Sequence, residues 1–535
     1  MTKRIIIIRW SFLLVFLIIA VRLLVLQVAH SEIYQELAEN QLGAKNGNIA
    51  NRGNIFFSTE DGPFLAATQK TVFTLAINPR EIENAEEVYA HLSQFIEVDE
   101  QDFFTKAKRD DPFEIIKRRI DDELKDKILK AAPVGVKFVE EKARFYPAKE
   151  LASHVLGFVG EDESGLKGKY GVEQYYESYL KSDNIILGID ANVQSFTEHI
   201  LVDVVEKYNA EGGGVIIVEP KTGRIISMAA NPTYDPNRYF EEENFRVFLN
   251  PLIQSNFEMG SVVKPLTVAA GLDAGVIVPE TTYFDYGKVE VEGDVIENFD
   301  GKGRGLVNMQ EILSQSLNTG VVFIAEKLGK ENFRKYFENF GLGGMTKVDL
   351  ASEVSGNLKN LDSPRFIEYA TASFGQGIGV TPLGLTMALS SLANGGFLMR
   401  PFIADEMYSF GGEFGKTKPQ IEKRVISEES SRTITRMLVN VVDTTLAGGK
   451  GQISGYSMAA KTGTAEIASS IERGYTGESI HSFFGYAPAF DARFLIFIYI
   501  EKPYGVRYAS QSLTQPFKEM MQFLLHYYEV LPDRT

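Results

Sequence analysis

The sequence predicts an α+β fold, in which helices at both ends of a domain pack against an antiparallel sheet. The first of three observations is a helical period of apolar side chains, carried by Val193, Phe196, Ile200, Val204 and Tyr208. The second is a pair of apolar runs at 215–218 and 225–228, spaced as in a β-hairpin. The third is a series of three strand-like runs and one helix-like segment near the C-terminus, at 457–467, 482–487, 494–500 and 515–528. The long segment between the two ends of this pattern has room for a helical subdomain.

The N-terminus carries an apolar segment that is long enough to cross a membrane. Residues 5–28 contain four polar side chains, Arg9, Ser11, Arg22 and Gln27. At about 1.5 Å per helical residue the segment reaches about 36 Å, more than the hydrocarbon core of a bilayer. Basic residues precede it and acidic residues follow it, which places the N-terminus in the cytoplasm. We expect a single-pass anchor in the cytoplasmic membrane, with a cleaved signal peptide as the alternative.

The length of 535 residues is too great for a single hydrophobic core. We expect a short cytoplasmic tail and transmembrane anchor at 1–28, an elongated α+β pedestal at 29–185, and a domain that carries the chemistry at 186–535. The pedestal mixes β-rich runs such as 71–76 with highly charged helical stretches, notably 99–130. It is interpreted either as a spacer or as a surface for partner proteins.

Composition excludes several classes of function. A net charge of −16 argues against nucleic acid as the main partner. The chain has no cysteine, which excludes disulfides and thiol catalysis. Six histidines are scattered without metal-ligand spacing, and no Gly-x-Ser-x-Gly motif indicates a serine–histidine hydrolase. We therefore expect neither a metal nor a cofactor.

Three short polar motifs follow one another in the predicted domain at 186–535. They are Ser261-Val-Val-Lys264, Ser316-Leu-Asn318 and Lys461-Thr-Gly-Thr464. A lysine three residues after a serine in a helix lies on the same face and can take the proton of the hydroxyl. A second cation nearby favours the neutral form of that lysine, and Lys461 is the candidate. The backbone N–H groups of Ser261 and Thr464 are candidate donors to an oxyanion. The three motifs together predict a serine acyl-transfer site.

The same short motifs also occur elsewhere in the chain, so spacing and context decide between the copies. Incidental copies lie at 164–167, 178–181, 182–184 and 221–223. The copy at 221–223 stands between two apolar runs and is interpreted as a hairpin turn. By contrast, 55 positions separate Ser261 from Ser316 and 145 separate Ser316 from Lys461, which leaves room for a subdomain between them.

With these motifs the chain resembles the class B penicillin-binding proteins, which are monofunctional peptidoglycan D,D-transpeptidases. Further matching segments are Asp235-Pro-Asn237, 373–382, Asn394-Gly-Gly396, Arg52-Gly-Asn-Ile55, Arg144-Phe-Tyr-Pro147 and 171–176. The chain departs from the family at Met259, where proline is usual, and at 56–61. The resemblance implies a penicillin-binding or serine β-lactamase-like transpeptidase domain after a pedestal of the dimerisation type.

The resemblance also implies a mechanism. Ser261 attacks the penultimate D-Ala carbonyl of a donor stem peptide, Lys264 takes the proton of the serine, and Ser316 relays a proton to the leaving amine. An amine of a neighbouring stem peptide then attacks the acyl-enzyme and forms a crosslink. A β-lactam mimics the D-Ala-D-Ala end and traps Ser261.

Five further residues are expected to bind the substrate. By resemblance, Asn318 hydrogen-bonds the substrate amide, while Lys461, Thr462 and Thr464 hold the terminal carboxylate. Gly463 is expected to let the substrate backbone come close to the strand, so that the peptide pairs as an added strand.

Two other classes share these motifs. A serine β-lactamase needs an additional base, and Glu353-Val-Ser-Gly-Asn357 superficially resembles such an element. We interpret this segment as a loop, because Gly356 stands where the lactamase element has leucine. A penicillin sensor, or a scaffold with an inactive site, is the non-enzymatic alternative, against which the complete set of motifs argues.

Within the family, residues 373–382 and the C-terminus after Tyr508 are more similar to the division type than to the elongation type. No glycosyltransferase segment lies between the anchor and the pedestal. The resemblance therefore implies a separate SEDS-type glycan polymerase and other divisome membrane proteins as partners, in addition to stem peptides and β-lactams. The catalytic domain is expected outside the cytoplasmic membrane.

Overall fold

The structure is a computed structural model that describes residues 52–162, 165–408, 414–468 and 474–534, together with Phe16. Within these ranges no helix combines the length and the apolar character needed to cross a bilayer. Apart from Phe16, the predicted anchor at 5–28 lies outside the described residues.

The strands follow in chain order: β1 (Ile55–Ser58), β2 (Phe64–Ile77), β3 (Glu114–Ile120), β4 (Val136–Phe145), β5 (Phe158–Asp162), β6 (Gly165–Lys169), β7 (Asn184–Asp190), β8 (Gly212–Val218), β9 (Ile225–Asn231), β10 (Thr282–Asp285), β11 (Lys288–Val291), β12 (Asp294–Glu297), β13 (Gly305–Asn308), β14 (Phe397–Arg400), β15 (Ala404–Tyr408), β16 (Phe414–Lys416), β17 (Gln420–Arg424), β18 (Ala459–Ala468), β19 (Tyr475–Ala487) and β20 (Phe494–Glu501).

The α-helices, again in chain order, are α1 (Ala85–Leu92), α2 (Glu100–Ala107), α3 (Asp122–Leu129), α4 (Ser153–Leu156), α5 (Gly171–Tyr175), α6 (Ala191–Lys207), α7 (Pro251–Gln254), α8 (Lys264–Asp273), α9 (Met309–Ser314), α10 (Asn318–Asn339), α11 (Phe366–Ala372), α12 (Pro382–Ala393), α13 (Glu428–Thr444), α14 (Ala509–Ser512) and α15 (Thr514–Tyr527). Helix α10 is interrupted at Gly329, which has a positive φ.

The residues divide into two units that interleave along the chain. Among the described residues, the first unit contains Arg52, Thr68–Phe145 and Val159–Lys167. The second contains Gly53–Ala67, Tyr146–Phe158 and the chain from Gly168 onward.

In the first unit, residues 68–77 of β2 pair antiparallel with β3 on one side and β4 on the other. Leu75 and Ile77 of β2 share a hydrophobic core with Phe103 of α2 and Ile128 of α3. The prediction of charged helices over 99–130 was right for α2 and α3 but wrong for β3. This stretch becomes a strand because it pairs with β2, an interaction that no local charge pattern reveals.

In the second unit, a five-stranded antiparallel sheet has the order β18-β19-β20-β8-β9. Strands β8 and β20 inside this sheet are buried on both faces and therefore consist of nearly continuous apolar runs rather than alternating ones. Helices α6 and α15 cover one face, where Val193, Phe483 and Phe517 belong to one apolar cluster. Helices α8 and α12 belong to the core on the other face.

This arrangement confirms the predicted α+β fold. The expected strands near the C-terminus appear as β18, β19 and β20, the expected hairpin as β8 and β9, and the two flanking helices as α6 and α15. The helical subdomain lies between α8 and β18, as the spacing of the motifs predicted.

A second sheet in this unit contains a parallel pairing that was not predicted. β7 pairs parallel with β1 and antiparallel with β15, and β1 pairs antiparallel with residues 64–67 of β2. Residues 53–67 therefore join the unit that carries the catalytic motifs. The predicted boundary between the pedestal and the catalytic domain, at 185/186, stays a prediction. It divides the chain at one position, whereas the two units are groups of contacting residues that alternate along the chain.

Candidate active site

The proposed nucleophile, Ser261, lies in a single 3₁₀ turn, Gly260–Val263, which leads directly into α8. Gly260 has a φ of +64°, and a Cβ there would stand 3.0 Å from a side chain of β18. Glycine therefore allows the turn to lie directly against this strand. Pro265 is in the first turn of α8, where a backbone N–H has no partner within the helix. The helix expected after the serine is present, but its α-helical part begins at Lys264.

Two buried lysine amines meet at the hydroxyl of Ser316. Lys264 Nζ donates a hydrogen bond of 2.5 Å to Ser316 O and lies 3.2 Å from Ser316 Oγ. Lys461 Nζ lies 3.0 Å from the same Oγ and 3.0 Å from the carbonyl oxygen of Thr462. The exposed fractions of Lys264 and Lys461 are 0% and 3%. One residue from each of the three motifs therefore converges on one point.

Burial lowers the pKa of both amines, because it removes the water that stabilises the charged form. The pKa of Lys264 falls well below its ordinary value, first through burial and then through the positive charge of Lys461. Burial lowers the pKa of Lys461 to about 8. The lowered pKa of Lys264 favours the neutral amine that a lysine general base requires, whereas Lys461, with a pKa of about 8, is mostly protonated near neutral pH.

The Ser261 hydroxyl makes no hydrogen bond to any of the described residues, and Lys264 is bonded to Ser316. The expected contact between Ser261 Oγ and Lys264 Nζ is therefore not formed in this state. Catalytic hydrogen bonds often tighten only when substrate is bound, so the direct proton transfer stays a prediction.

Ser316 and Asn318 lie where α9 ends and α10 begins. Ser316 has a φ of +56°, a left-handed conformation that costs about 1–2 kcal/mol for a residue with a Cβ. Such conformations cluster at functional sites. Asn318 is the first residue of α10, and its Nδ2 donates a hydrogen bond of 2.8 Å to Glu297 O.

Strand β18 carries the third motif at one edge of the five-stranded sheet. Because side chains alternate along a strand, Thr462 and Thr464 share one face, and both line the cavity beside Ser261. An edge strand can add an extended peptide through its main-chain groups. The position of β18 therefore suits the binding of a peptide end.

Gly463 lies on the opposite face of β18, where it contacts the protein itself. A Cβ at Gly463 would stand 2.5 Å from Ser482 Oγ, 2.7 Å from Met259 O and 3.0 Å from Val262 N. Any side chain there would displace the turn that carries the nucleophile. This packing requires glycine whether or not a substrate backbone also approaches, and that approach stays a prediction.

Ser482 on β19 is a residue that the motifs did not reveal. Its buried hydroxyl donates a hydrogen bond of 2.9 Å to Met259 O and so ties the sheet to the nucleophile turn. The two residues are 223 positions apart, so no local pattern connects them. Because the acceptor is the backbone carbonyl of Met259, the residue type at that position gives no signal of this contact.

These groups surround a cavity of about 1100 Å³. Its lining includes the motif residues Ser261, Ser316, Asn318, Lys461, Thr462 and Thr464. It also includes side chains that the sequence patterns did not indicate, among them Phe299, Arg304, Glu466, Arg507 and Tyr508. Glu466 lies on β18 beyond the third motif, whereas the other four come from the loop between β12 and β13 and the loop after β20, so only the folded chain brings those four to the site. In the described ranges no cluster of acidic or histidine side chains could hold a metal ion.

The competing copies of the motifs lie in other settings. Residues 221–223 form part of the turn between β8 and β9, as predicted. Ser164 lies outside the described residues. Glu353 accepts hydrogen bonds from Thr346 N and Thr346 Oγ1, and from Lys347 N, in a segment without helix, as predicted for a loop.

The site therefore combines a serine hydroxyl at a cavity with two buried lysines whose pKa values are lowered and which meet at the hydroxyl of Ser316, beside a strand edge. In this fold, these features define a serine acyltransferase of the penicillin-binding type.

Comparisons with known proteins agree with this class. Residues 213–522 match the family model of the penicillin binding protein transpeptidase domain, and residues 48–189 match that of the penicillin-binding protein dimerisation domain. The chain is 31% identical to Stage V sporulation protein D of Bacillus subtilis, over 96% of this chain and 84% of that protein. It is 29% identical to peptidoglycan D,D-transpeptidase FtsI of Escherichia coli, over 79% of this chain and 73% of that protein.

Solved structures show the same fold. Penicillin binding protein 2X from Streptococcus thermophilus has a TM-score of 0.74 at 19% identity, covering 90% of this chain and 80% of that one. A peptidoglycan synthetase from Bifidobacterium adolescentis has a TM-score of 0.70 at 23% identity, covering 91% of this chain and 97% of that one. The chain belongs to the penicillin-binding protein family and has the transpeptidase and dimerisation domains of class B members.

Proposed function

We infer that this protein is a peptidoglycan D,D-transpeptidase that crosslinks stem peptides through an acyl-enzyme on Ser261. The observation that carries this inference is the convergence of Lys264 and Lys461 on Ser316 Oγ in the cavity that Ser261 lines. Family membership and relatives named as D,D-transpeptidases support the same reaction.

In the proposed reaction, Ser261 attacks the penultimate D-Ala carbonyl while the neutral amine of Lys264 accepts the hydroxyl proton. The backbone N–H groups of Ser261 and Thr464 stabilise the oxyanion. Ser316, which is hydrogen-bonded to both amines, relays the proton to the departing D-Ala. The amine of an acceptor stem then attacks the ester, releases Ser261 and forms the crosslink.

The substrate is held by the groups on the two walls of the cavity. Lys461 supplies a positive charge for the terminal carboxylate, and the hydroxyls of Thr462 and Thr464 donate hydrogen bonds to it. The Asn318 side chain bonds the amide of the residue before the scissile bond. The edge of β18 pairs with the peptide backbone, so that the scissile carbonyl lies at Ser261.

A fluorescent penicillin tests the assignment. We expect a long-lived adduct on the wild-type protein and none on Ser261→Ala. Ser178→Ala is a matched control, because Ser178 begins an incidental Ser-x-x-Lys sequence, and it should label like wild type. Rapid loss of the wild-type adduct would indicate a β-lactamase, and the absence of an adduct would indicate a scaffold or inactive sensor.

The side chain of Glu353 favours the transpeptidase over the lactamase. Its two oxygens are engaged by Thr346 and Lys347 within its own loop. A lactamase needs an additional base beside the acyl-enzyme, and Glu353 was the sequence candidate for it. Release of D-Ala from a stem pentapeptide, dependent on an added acceptor amine, would demonstrate transfer directly.

We further propose a single-pass anchor at 5–28, action outside the cytoplasmic membrane, and a division rather than elongation role. The apolar N-terminal segment and residues 373–382 support these proposals. The partners would be a SEDS-type glycan polymerase and other divisome membrane proteins, contacted through the anchor and pedestal. Co-purification that survives replacement of both regions would reject that contact, and a fluorescent fusion spread along the lateral wall would reject the division role.

A further inference from the structure

We propose that Asp285 is a positioning residue that fixes the Asn318 amide for the substrate and ties a neighbouring hairpin to the active site. The proposal rests on the function inferred above, because it assigns Asn318 the task of binding the ligand amide. Asp285 belongs to no motif, and its exposed fraction is 1%.

The carboxylate of Asp285 receives hydrogen bonds from four donor groups. Oδ1 accepts from Gly287 N at 2.9 Å, from Asn298 Nδ2 at 3.1 Å and from Thr319 Oγ1 at 2.8 Å. Oδ2 accepts from Asn298 Nδ2 and from Arg304 N, both at 3.0 Å. Such a set of donors needs an acceptor on both oxygens, which a carboxylate provides and an amide does not.

The network around Asp285 holds both sides of the Asn318 hydrogen bond. Asn318 Nδ2 donates to the carbonyl of Glu297, the residue directly before Asn298. Asn298 Oδ1 in turn accepts from Thr319 N at 3.3 Å, directly after Asn318. Asp285 accepts hydrogen bonds from both Asn298 and Thr319, the neighbours of Glu297 and Asn318. It therefore fixes the Asn318 amide and the Glu297 carbonyl relative to each other.

A second branch reaches the other residue of the same motif. Asp285 accepts from the backbone N–H of Arg304, whose Nε donates a hydrogen bond of 2.9 Å to Gln315 Oε1. Gln315 directly precedes Ser316, whose left-handed backbone aims its hydroxyl at the two lysines. This branch uses only Oδ2 of Asp285, a position that the amide oxygen of an asparagine can occupy, so we expect Asp285→Asn to leave the Ser316 side of the segment in place.

Removing one acceptor should misplace the Asn318 amide without removing it. In Asp285→Asn, an NH₂ group replaces one carboxylate oxygen and faces donors, so the bonds to Asn298 and Thr319 cannot all persist. A loosened Asn318 binds the ligand amide less well in the transition state. We expect acylation by benzylpenicillin to slow about tenfold, the effect of losing one well-placed hydrogen bond.

The choice of ligand separates positioning from a general structural defect. 6-Aminopenicillanic acid has the same reactive ring and carboxylate but lacks the acylamino group that Asn318 is proposed to bind. Its acylation rate should change by less than about twofold in Asp285→Asn. A merely structural loss would slow both ligands by the same factor.

A double-mutant cycle gives an independent readout. In an Asn318→Ala background, Asp285→Asn should slow benzylpenicillin acylation by no more than about twofold, because the group it positions is already absent. Asp349→Asn is a matched control, since Asp349 is also buried and accepts hydrogen bonds from Ile403 N, Ala404 N and Tyr176 OH away from the cavity. It should lower the melting temperature but leave the ratio of the two ligands unchanged.

Thr319→Val provides a second variant should Asp285→Asn not fold. It removes one donor to Asp285 and leaves the carboxylate in place, and it should shift the ratio of the two ligands in the same direction by about threefold. Equal slowing of both ligands, or full additivity with Asn318→Ala, would overturn the role of Asp285. A wild-type protein that reacts with neither ligand would instead overturn the function inferred above.

Discussion

At the scale of single residues, the chemistry depends on how two lysine side chains are buried around one hydroxyl. Lys264 and Lys461 are the same residue type with the same ordinary pKa, but they have different predicted tasks. Burial lowers the pKa of both amines, and the positive charge of Lys461 lowers the pKa of Lys264 further. The amine that loses its proton more readily becomes the base, and the other keeps a charge for the substrate carboxylate.

The pH dependence of acylation follows from these two amines. Burial and then the charge of Lys461 lower the pKa of Lys264 well below its ordinary value, and acylation falls as the pH drops through that pKa because the base gains a proton. As the pH rises through about 8, Lys461 loses its charge and binds the ligand carboxylate less well. We expect a bell-shaped profile of the acylation rate constant, measured by stopped-flow with a chromogenic cephalosporin.

Lys461→Arg is the control for the alkaline limb of that profile. A guanidinium stays charged throughout the measured range, so the decline above pH 8 should disappear even if the maximal rate is lower. A wild-type rate that keeps rising through pH 9 would contradict the task assigned to Lys461.

The packing of Gly463 makes a second prediction at this scale. In Gly463→Ala the new methyl group would collide with Met259 O and Ser482 Oγ, at 2.7 Å and 2.5 Å. Overpacking of this kind costs about 1–3 kcal/mol, and the displaced turn should slow acylation at least about tenfold. Thermal unfolding and penicillin acylation measure the two effects. Gly415→Ala is the matched control on another strand, because a Cβ there meets no atom within 4 Å and should change neither.

At the scale of secondary-structure elements, the meaning of a motif depends on the element that presents it. Lys461 and Thr462 on the edge strand β18 line the cavity, whereas the same Lys-Thr-Gly sequence at 221–223 closes the turn between β8 and β9. Ser261 works from a short turn that glycine packing holds against β18. The sequence patterns predicted these settings because strands and turns have local periodicities.

The two Lys-Thr-Gly copies give a direct comparison. We expect Lys221→Ala to change penicillin acylation by less than about twofold, since this hairpin is remote from the cavity lining. Lys461→Ala should slow acylation by about a hundredfold or more, because it removes the charge for the carboxylate and a partner of Ser316. Similar decreases of the acylation rate in both variants would contradict this explanation, in which only the Lys-Thr-Gly sequence on β18 contributes to acylation.

At the scale of the whole molecule, the catalytic site belongs to one of two interleaved units. Among the described residues, the lining of the cavity lies between Gly260 and Ser510, within the second unit. The task proposed for the predicted anchor at 5–28 is to keep the enzyme at the membrane, close to the proposed glycan polymerase.

Removal of the N-terminal segment tests whether it serves as a membrane anchor without a part in acylation. A chain of residues 46–535 should appear in the soluble fraction, whereas the full chain should sediment with membranes. Both should be acylated by penicillin at rates within about threefold, because the cavity is complete in the second unit. Retention of the shortened chain in the membrane pellet would contradict the anchor, and loss of acylation alone would show that the N-terminal segment supports the site.

From the sequence alone, motif spacing and the family resemblance proposed Ser261, Lys264, Ser316, Asn318 and Lys461 as the reactive groups, and their roles stay predictions. The sequence also predicted the hairpin, the C-terminal strands and the flanking helices, all of which the structure contains. Local patterns suffice for these because a helix or strand imposes its period on neighbouring residues.

Tertiary structure alone decided what surrounds those groups. It placed Ser482 against Met259, Asp285 against Asn298 and Thr319, and β3 in a sheet where the charges predicted helix. It also assigned Gly463 to the packing of the nucleophile turn and buried both lysines. These features depend on contacts between residues far apart in the chain, and burial and electrostatic shifts arise only when such contacts exclude water.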